Sequence, residues 1–544
     1  MGRSVNRAVG FFTYGTLILA ALALGGLVFR GLRRRGLCER LAAASLPLSA
    51  LVIVSSWLTT IGIDPVVEPW SAARLAPAVG LRHGHPLYYP SSNGPVTGWI
   101  YPPLAPVVYL PATLIPGPTG AVLAGRLLSL VYYFTPAAWL LLTARADRTR
   151  GTWIGAVLLV STFALLSHQC RPLRYVSSEI HADAPALALA IVAVGLMARS
   201  RPDDRPWRQA TAIILATLSV WTKQLTAPIV LFVLPCWAFV TGGSRGFFKF
   251  VAMALIGGLS ISLLLLALFG PSNMIFNILT VPLLHPRRVE SLTWSNLLAL
   301  ALPNMFLLVL LASGGLAQLR ARSRGCATPI WPLFLLAAFA VAPLSVMAYS
   351  KIGGDDNNLG FVIEFLTLAG LLMHARFMAL SRDPAEGNKA TSAFRGILAL
   401  NLVLTLLGAH EVALALAKPG PTWQEQQRAA LHYIERHRGE VYFPWNPLEH
   451  LIAEGQQYHF EYGVFDRVLA GHPLSDEHFR SHIPPNTRLV CYPPRTTVGS
   501  RMTLMYLREF REQIRVDELP GWACYRRPEP ASPREGGMPE GMGL

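Results

Sequence analysis

Residues 68–90 read EPWSAARLAPAVGLRHGHPLYYP, and their place in the chain decides the architecture. They open the first long polar connection after two apolar runs, at 9–29 and 41–61. Each run approaches the ~20 residues needed to cross a ~30 Å hydrocarbon core. Outward from this stretch, apolar runs recur near 121–143, 151–167, 184–198, 209–222, 226–241, 247–269, 297–318, 329–348, 359–375 and 396–416. The pattern predicts a polytopic α-helical membrane protein with about 12 transmembrane helices. Composition agrees: 52% of the 544 residues are hydrophobic and 14% charged, with a mean hydropathy of +0.40. Soluble domains carry about 25% charged residues.

The net charge of +16 is distributed as a topology signal. Connections 30–40, 144–150, 199–208, 242–249, 319–325 and 376–395 hold 21 Lys/Arg, against 8 in the alternate connections 62–103, 168–183, 223–225, 270–296 and 349–358. Basic loops stay cytoplasmic, so the second set is expected to face outward, and no nucleic-acid partner is implied. The first apolar run ends in the basic block RGLRRRGLCER without a small-residue cleavage site, which reads as an anchor rather than a cleaved leader. The six cysteines form no CxxC spacing or His/Cys cluster, so no zinc or haem site is read from them. Cys491 and Cys524 fall on the outward side; spacing alone leaves their pairing open.

Composition changes near residue 418. Residues 1–417 read as a transmembrane module whose first outer loop is about 62–103. Residues 418–525 read as a small α/β domain on the outer side, and 526–544, rich in Pro, Gly and charge, as a disordered tail. Within 418–525, TWQEQQRAALHYIERHRG and MTLMYLREFREQ have helical patterns, and EVYFPW and TRLVCYP are strand-like. The acids and histidines of this region read as solvated surface. The stretch GWIYPPLAPVVYLPATLIPGP at 98–118 is apolar but broken by prolines, which predicts a short interfacial helix rather than a span.

The outward connections concentrate the ionisable residues: Asp64, Glu68, Arg74, His83, His85, Tyr88 and Tyr89 in the first, then Arg171, Arg174, Glu179, His181 and Asp183, then Lys223, then His285, Arg287 and Arg288, then Lys351, Asp355, Asp356 and Glu364. Charges at membrane depth cost about 2.5–3.5 kcal/mol each on insertion scales and mark pairs or functional sites. Bland roles compete. Glu68 fits a helix cap before PWSAARLA, and Asp64 before Pro65 fits a turn. Arg74 and Arg126 fit snorkelling side chains, His83 and His85 a solvated loop, and Lys351 with Gly353–Gly354 a tight turn. Lys223, between two apolar runs with almost no loop, demands a counter-charge.

These residues resemble a known family. The stretch EPWSAARLAPAVGLRHGHPLYY looks like the first outer loop of the GT-C superfamily of membrane glycosyltransferases, in which an acid precedes a helix with an Ala-Arg pair. YPPLAPVVYLP, AGRLLSL, the Lys223–Gln224 pair and KIGGDDNNLGFVIEF are similar to bacterial members, over roughly residues 40–375. The relatives in view are the polyprenyl-phosphate-sugar-dependent enzymes of protein O-mannosyltransferase and aminoarabinose transferase type. The resemblance implies inverting transfer of a monosaccharide from a polyprenyl-phosphate donor to a lipid, glycan or protein acceptor at the outer face of the cell membrane. It implies Glu68 or Asp64 as the catalytic carboxylate, both left open because many relatives carry Asp or Asp-Glu there. The donor-binding set expected is Lys223, Lys351, Arg171, Arg174, Arg287, Arg288, His181, Asp183, Tyr88 and Tyr89. No cofactor is required by these motifs; a divalent cation stays open because relatives differ. A lipid-borne donor needs no nucleotide-binding motif, and neither a P-loop nor a GxGxxG in context occurs.

Two other classes compete. A transporter or flippase would place its charges within the spans and has no need of a long first outer loop; no internal repeat is visible. A polysaccharide polymerase or ligase would carry its large outer loop late in the chain.

Overall fold

Apolar runs become helices, and the prolines and glycines between them set where each one breaks. The computed structural model describes residues 35–62, 70–144, 150–200, 207–288, 305–320, 330–379, 387–417, 423–493 and 501–528. The expected first span at 9–29, both Asp64 and Glu68, and residues 529–544 lie outside the described residues.

The helices are α1 (Arg35–Gly62), α2 (Trp70–Arg82), α3 (Pro118–Thr143), α4 (Arg150–Gln169), α5 (Arg171–Ser178), α6 (Asp183–Ala198), α7 (Trp207–Val220), α8 (Leu234–Phe269), α9 (Met305–Arg320), α10 (Trp331–Ser350), α11 (Gly360–Ala379) and α12 (Gly387–Ala417). Among the described residues, six helices are long and apolar enough to cross a membrane, or seven if α4 and α5, bent by 100°, count as one span. Asp183–Ala198 and Met305–Gly315 are shorter apolar helices. The chain is a multi-pass membrane protein. The runs expected at 226–241 and 247–269 form one 46-residue helical stretch, Gln224–Phe269. At 1.5 Å per residue it would extend about 70 Å, more than twice the hydrocarbon core. Gly243, at φ 59° and ψ −160°, resolves this by breaking it into two arms. A left-handed backbone there suits only glycine.

The bundle packs through small residues. α6 is alanine-rich and buried between α3 and α7. A Cβ on its Gly195 would lie 2.9 Å from Trp139, so the close approach depends on glycine. Phe163, Phe334, Phe361 and Phe365 fill the centre. Leu255, Ile256, Leu259, Leu263 and Leu264 of α8 are exposed, as a lipid-facing surface should be. The proline-rich 98–118 stretch forms only the short helical turns Leu104–Val107 and Leu110–Leu114.

The C-terminal region adds α13 (Trp423–Arg436), β1 (Val441–Tyr442), α14 (Pro447–Glu454), α15 (Glu461–Leu469), β2 (Leu489–Tyr492), β3 (Glu512–Ile514) and β4 (Ala523–Arg526). The sheet order is β1-β2-β4-β3, with β1 parallel to β2 and the other pairs antiparallel. Cys491 and Cys524 face each other across β2 and β4 and form a disulfide. The helix expected for MTLMYLREFREQ is instead a 3₁₀ turn, Met502–Met505, followed by β3. Pairing overrides local propensity here: Arg526 of β4 holds Glu512 of β3 with two 2.8 Å hydrogen bonds. The region docks on the first loop. The Phe460 N–H donates to the Val96 carbonyl at 2.8 Å, and His85 Nε2 lies 2.9 Å from the Gly455 carbonyl oxygen. The Trp70 ring sits edge-on to Trp445 and Tyr462, at 5.3 and 4.6 Å.

Candidate functional site: a cationic cavity against an apolar wall

Where the bundle, the first loop and the C-terminal region meet, they enclose a cavity of about 1020 Å³. Among the described residues, six cations border it: Arg74, Arg171, Lys223, Arg287, Arg288 and Lys351. The acids on its wall, among the described residues, are Glu179, Asp355 and Asp466. Leu225, Ile278, Leu279, Pro282, Leu283, Leu344, Met347 and Ala348 make the remaining side apolar. Leu279, Leu283 and Met347 are also exposed at the surface, so the apolar wall continues outward.

Lys223 is placed by the chain break between α7 and the next helical arm. Its N–H donates to the Ser219 carbonyl at 2.8 Å, which ends α7. Its buried ammonium donates to Asp183 Oδ1 and, at 3.3 Å, to Asn358 Oδ1. Asp183 Oδ2 accepts from Asn357 Nδ2 at 2.7 Å and lies 2.7 Å from His181 Nδ1. His181 Nε2 lies 2.8 Å from the Tyr101 hydroxyl. Burial pulls His181 down to about 3, against the pull of Asp183, so the imidazole is neutral. Nδ1–H then faces the carboxylate and Nε2 accepts from Tyr101. Lys223 and Asp183 each hold more than one partner, which fixes one cation at the cavity floor.

Lys351 and Arg287 are held by backbone. An isolated antiparallel bridge joins Arg287 to Lys351. The Ile352 N–H donates to the Pro286 carbonyl at 2.8 Å and the Arg288 N–H to the Ser350 carbonyl at 2.6 Å. The turn after Lys351 requires its glycines: Gly353 has φ +82° and a Cβ there would lie 2.4 Å from the Tyr462 hydroxyl oxygen. Burial lowers the Lys351 ammonium, with Asp466 opposing. Arg171 lies 3.1 Å from Asp356 Oδ2 and is largely exposed. Arg74 stacks between Trp70, 5.1 Å from its ring centroid, and Tyr175, at 5.6 Å. It is a wall of the cavity rather than a snorkelling side chain. Arg126 is fully buried, donating to Glu179 Oε1 and to the Ser178 and Ile61 carbonyls.

Of the residues expected from sequence, Lys223, Lys351, Arg171, Arg287, Arg288 and His181 border one cavity, with Asp183 behind Lys223. Arg174 does not border it and pairs with Glu411 at 3.6 Å. Tyr88 donates to the Tyr101 carbonyl and Tyr89 to Gln457, both at 2.7 Å and off the cavity. Asp64 and Glu68 lie outside the described residues, although Trp70, two positions after Glu68, borders the cavity. Tyr101, Tyr175, Tyr462 and Asp466, none of them expected from the sequence, also border the cavity. The C-terminal acids and histidines, expected on a solvated surface, differ too. Glu449, Glu461, His459 and Asp466 are instead buried. The signal was present in EYGVFDRVL, where Tyr462 and Asp466 fall four apart, on one helix face.

His459, His478 and His482 bring ring nitrogens within 4.8 Å of one another. His459 Nδ1 accepts from the Val96 N–H at 2.9 Å, which leaves the ring proton on Nε2 in the neutral form. A metal there would have to displace that bond. In this structure the cluster ties the first loop to the C-terminal region.

No family model matches the sequence, and no curated protein matches it. Solved structures do. ArnT from Cupriavidus metallidurans bound to undecaprenyl phosphate superposes with a TM-score of 0.51 at 11% identity, over 90% of this chain and 98% of ArnT. Its apo form gives 0.50 at 12% identity, over 89% and 98%. At this identity the likeness is one of fold: the chain shares the overall fold of ArnT.

Proposed function

We propose that this protein is an inverting glycosyltransferase. It moves a monosaccharide from a polyprenyl-phosphate donor to a lipid, glycan or protein acceptor at the outer face of the cytoplasmic membrane. The observation that carries the reading is the cavity itself, with six cations on one side and an apolar wall continuing to the lipid-facing surface on the other. An isoprenoid phosphate is that ligand in outline: one anion on a long apolar chain. ArnT, with the same fold, was crystallised with undecaprenyl phosphate.

In this reading Lys223, locked by Asp183, and Lys351, held by its bridge to Arg287, bind the phosphate and stabilise the charge that develops as it leaves. Arg171, Arg287 and Arg288 extend the field. A carboxylate from the first loop, Glu68 with Asp64 as the alternative, takes the proton of the acceptor hydroxyl as that oxygen attacks the anomeric carbon. The bond to phosphate breaks on the opposite face, and the configuration inverts. Phosphate leaves without a general acid, so one carboxylate suffices. The Cys491–Cys524 disulfide supports an oxidising, extracytoplasmic location for the C-terminal region, on the side that the 21-to-8 charge asymmetry also assigns to the cavity. The division into a module at 1–417, an outer domain at 418–525 and a tail at 526–544 belongs to the same proposal.

The test is transfer in proteoliposomes supplied with polyprenyl-phosphate sugars and an envelope lipid extract. Glu68→Gln should lower turnover by about 10²–10⁴-fold with the melting temperature unchanged. Asp64→Asn should stay near the parent. The reverse result would move the catalytic role to Asp64, and two active variants would remove both.

A further inference from the structure

The side of the cavity built by α15 carries a group that the phosphate reading leaves unused. Asp466 sits one turn after Tyr462 on α15, and both border the cavity. Its carboxylate is 3% exposed, and neither oxygen has a hydrogen-bond partner among the described residues. His285 Nε2 stands 3.6 Å from Oδ1, beyond hydrogen-bond range. Buried polar groups are almost always paired, and an unpaired one is a cost the fold tolerates for a reason. Burial pushes this carboxyl up to about 7, with Lys351 opposing.

The chemistry of a complementary ligand follows from the neighbours. A carboxylate repels phosphate, so it cannot share the anion with Lys351 and Arg287. It accepts hydroxyl hydrogen bonds well, and charge makes such bonds roughly twice as strong as neutral ones. In a glycosyl phosphate, hydroxyls lie only a few bonds from the anion. An acid that interacts electrostatically with a phosphate-binding lysine is therefore placed for them.

We infer that Asp466 is a substrate-binding residue that accepts hydrogen bonds from hydroxyls of the donor's glycosyl group, making the C-terminal region the sugar-reading wall of the cavity. This rests on the cavity being the lipid-phosphate donor site, and the experiment separates the two ideas. Full-length protein in nanodiscs is titrated with a short-chain polyprenyl phosphate, and with the same phosphate bearing glucose, mannose or arabinose. The parent should bind at least one glycosylated probe about tenfold more tightly than the bare phosphate. Asp466→Ala should erase that preference without weakening the bare affinity, which loss of a repelling charge favours, and Asp466→Asn, which keeps one acceptor oxygen, should retain part of the preference. Neither variant should melt below the parent, since each removes an unpaired buried acid.

If the bare phosphate fails to bind the parent, the donor-site reading itself falls. If it binds but no glycosylated probe is preferred, or the preference survives Asp466→Ala, the inference about Asp466 is wrong. A loss of affinity for all probes together with a lower melting temperature would make Asp466 structural.

Discussion

The floor of the cavity and its C-terminal wall solve the same problem in opposite ways. At the floor, hydrogen bonds join Lys223, Asp183, Asn357 and Asn358, and His181 Nδ1 lies 2.7 Å from Asp183, so a buried cation stays in one position with its charge compensated. At the wall, Asp466 and His285 are just as buried, yet both Asp466 oxygens and His285 Nδ1 lack hydrogen-bond partners among the described residues. A closed network spends its polar groups on the fold. An open one keeps them for something that arrives later. The contrast suggests a division of labour, with anion placement built into the bundle and hydroxyl recognition supplied by the region docked on it.

The sharpest way to break the comparison is at Asp183. Asp183→Ala should leave the Lys223 ammonium buried and uncompensated, costing about 3–5 kcal/mol, read as a large drop in melting temperature in nanodiscs. The double variant Asp183→Ala with Lys223→Met should recover much of that loss, because no charge remains stranded. If the single variant melts like the parent, the floor is not a closed network.

Next in size is the difference between the two lysines. Lys223→Met should lower both stability and affinity for polyprenyl phosphate. Lys351→Met should weaken that affinity by about tenfold, the scale of one charge-assisted contact, with little change in melting. Lys351 is half-buried and is placed by backbone bonds that a methionine would preserve. Equal stability losses would place Lys351 inside a structural network as well.

The bundle was legible because lipid demands long apolar runs, and the runs at 41–61, 121–143 and 329–348 needed no tertiary knowledge to be read as helices. Lys223 was legible for the related reason that an ammonium between two spans has nowhere to hide. The two arms on either side of Gly243 were legible as separate runs, although the positive φ that joins them was not. The C-terminal wall was opaque. An acid on a nine-residue amphipathic helix looks like surface until its neighbours are known, and Asp466 is buried beside His285, well over a hundred residues earlier in the chain. The strand Glu512–Ile514 was misread as helix for the same reason, since its pairing to β4 comes from tertiary register. Arg126 looked like a snorkelling side chain because the carbonyls and the carboxylate that hold it lie on other segments.

The smallest effect concerns the titration of Asp466, and its sign follows from linkage. The folded carboxyl sits at about 7, against about 3.9 for an unfolded aspartate. Its neutral form therefore favours the fold fully below about pH 4, and that advantage is lost as pH rises towards 7. Burial likewise pushes Glu449 up to about 7, in the same sense, whereas His181, held down at about 3, works in the opposite sense below about pH 6.5, so the contribution of Asp466 is read as the difference between variant and parent. Asp466→Asn removes one contributor without changing shape. It should raise the melting temperature more at pH 8 than at pH 5, whatever slope the other groups give the parent. Adding a glycosylated lipid phosphate should narrow the gap between parent and variant at pH 8, because the ligand's hydroxyls supply the partners that Asp466 otherwise lacks. Bare polyprenyl phosphate should leave the gap open. A variant that melts below the parent at pH 8 would mean that the wall is as closed as the floor, and the contrast between them would be lost.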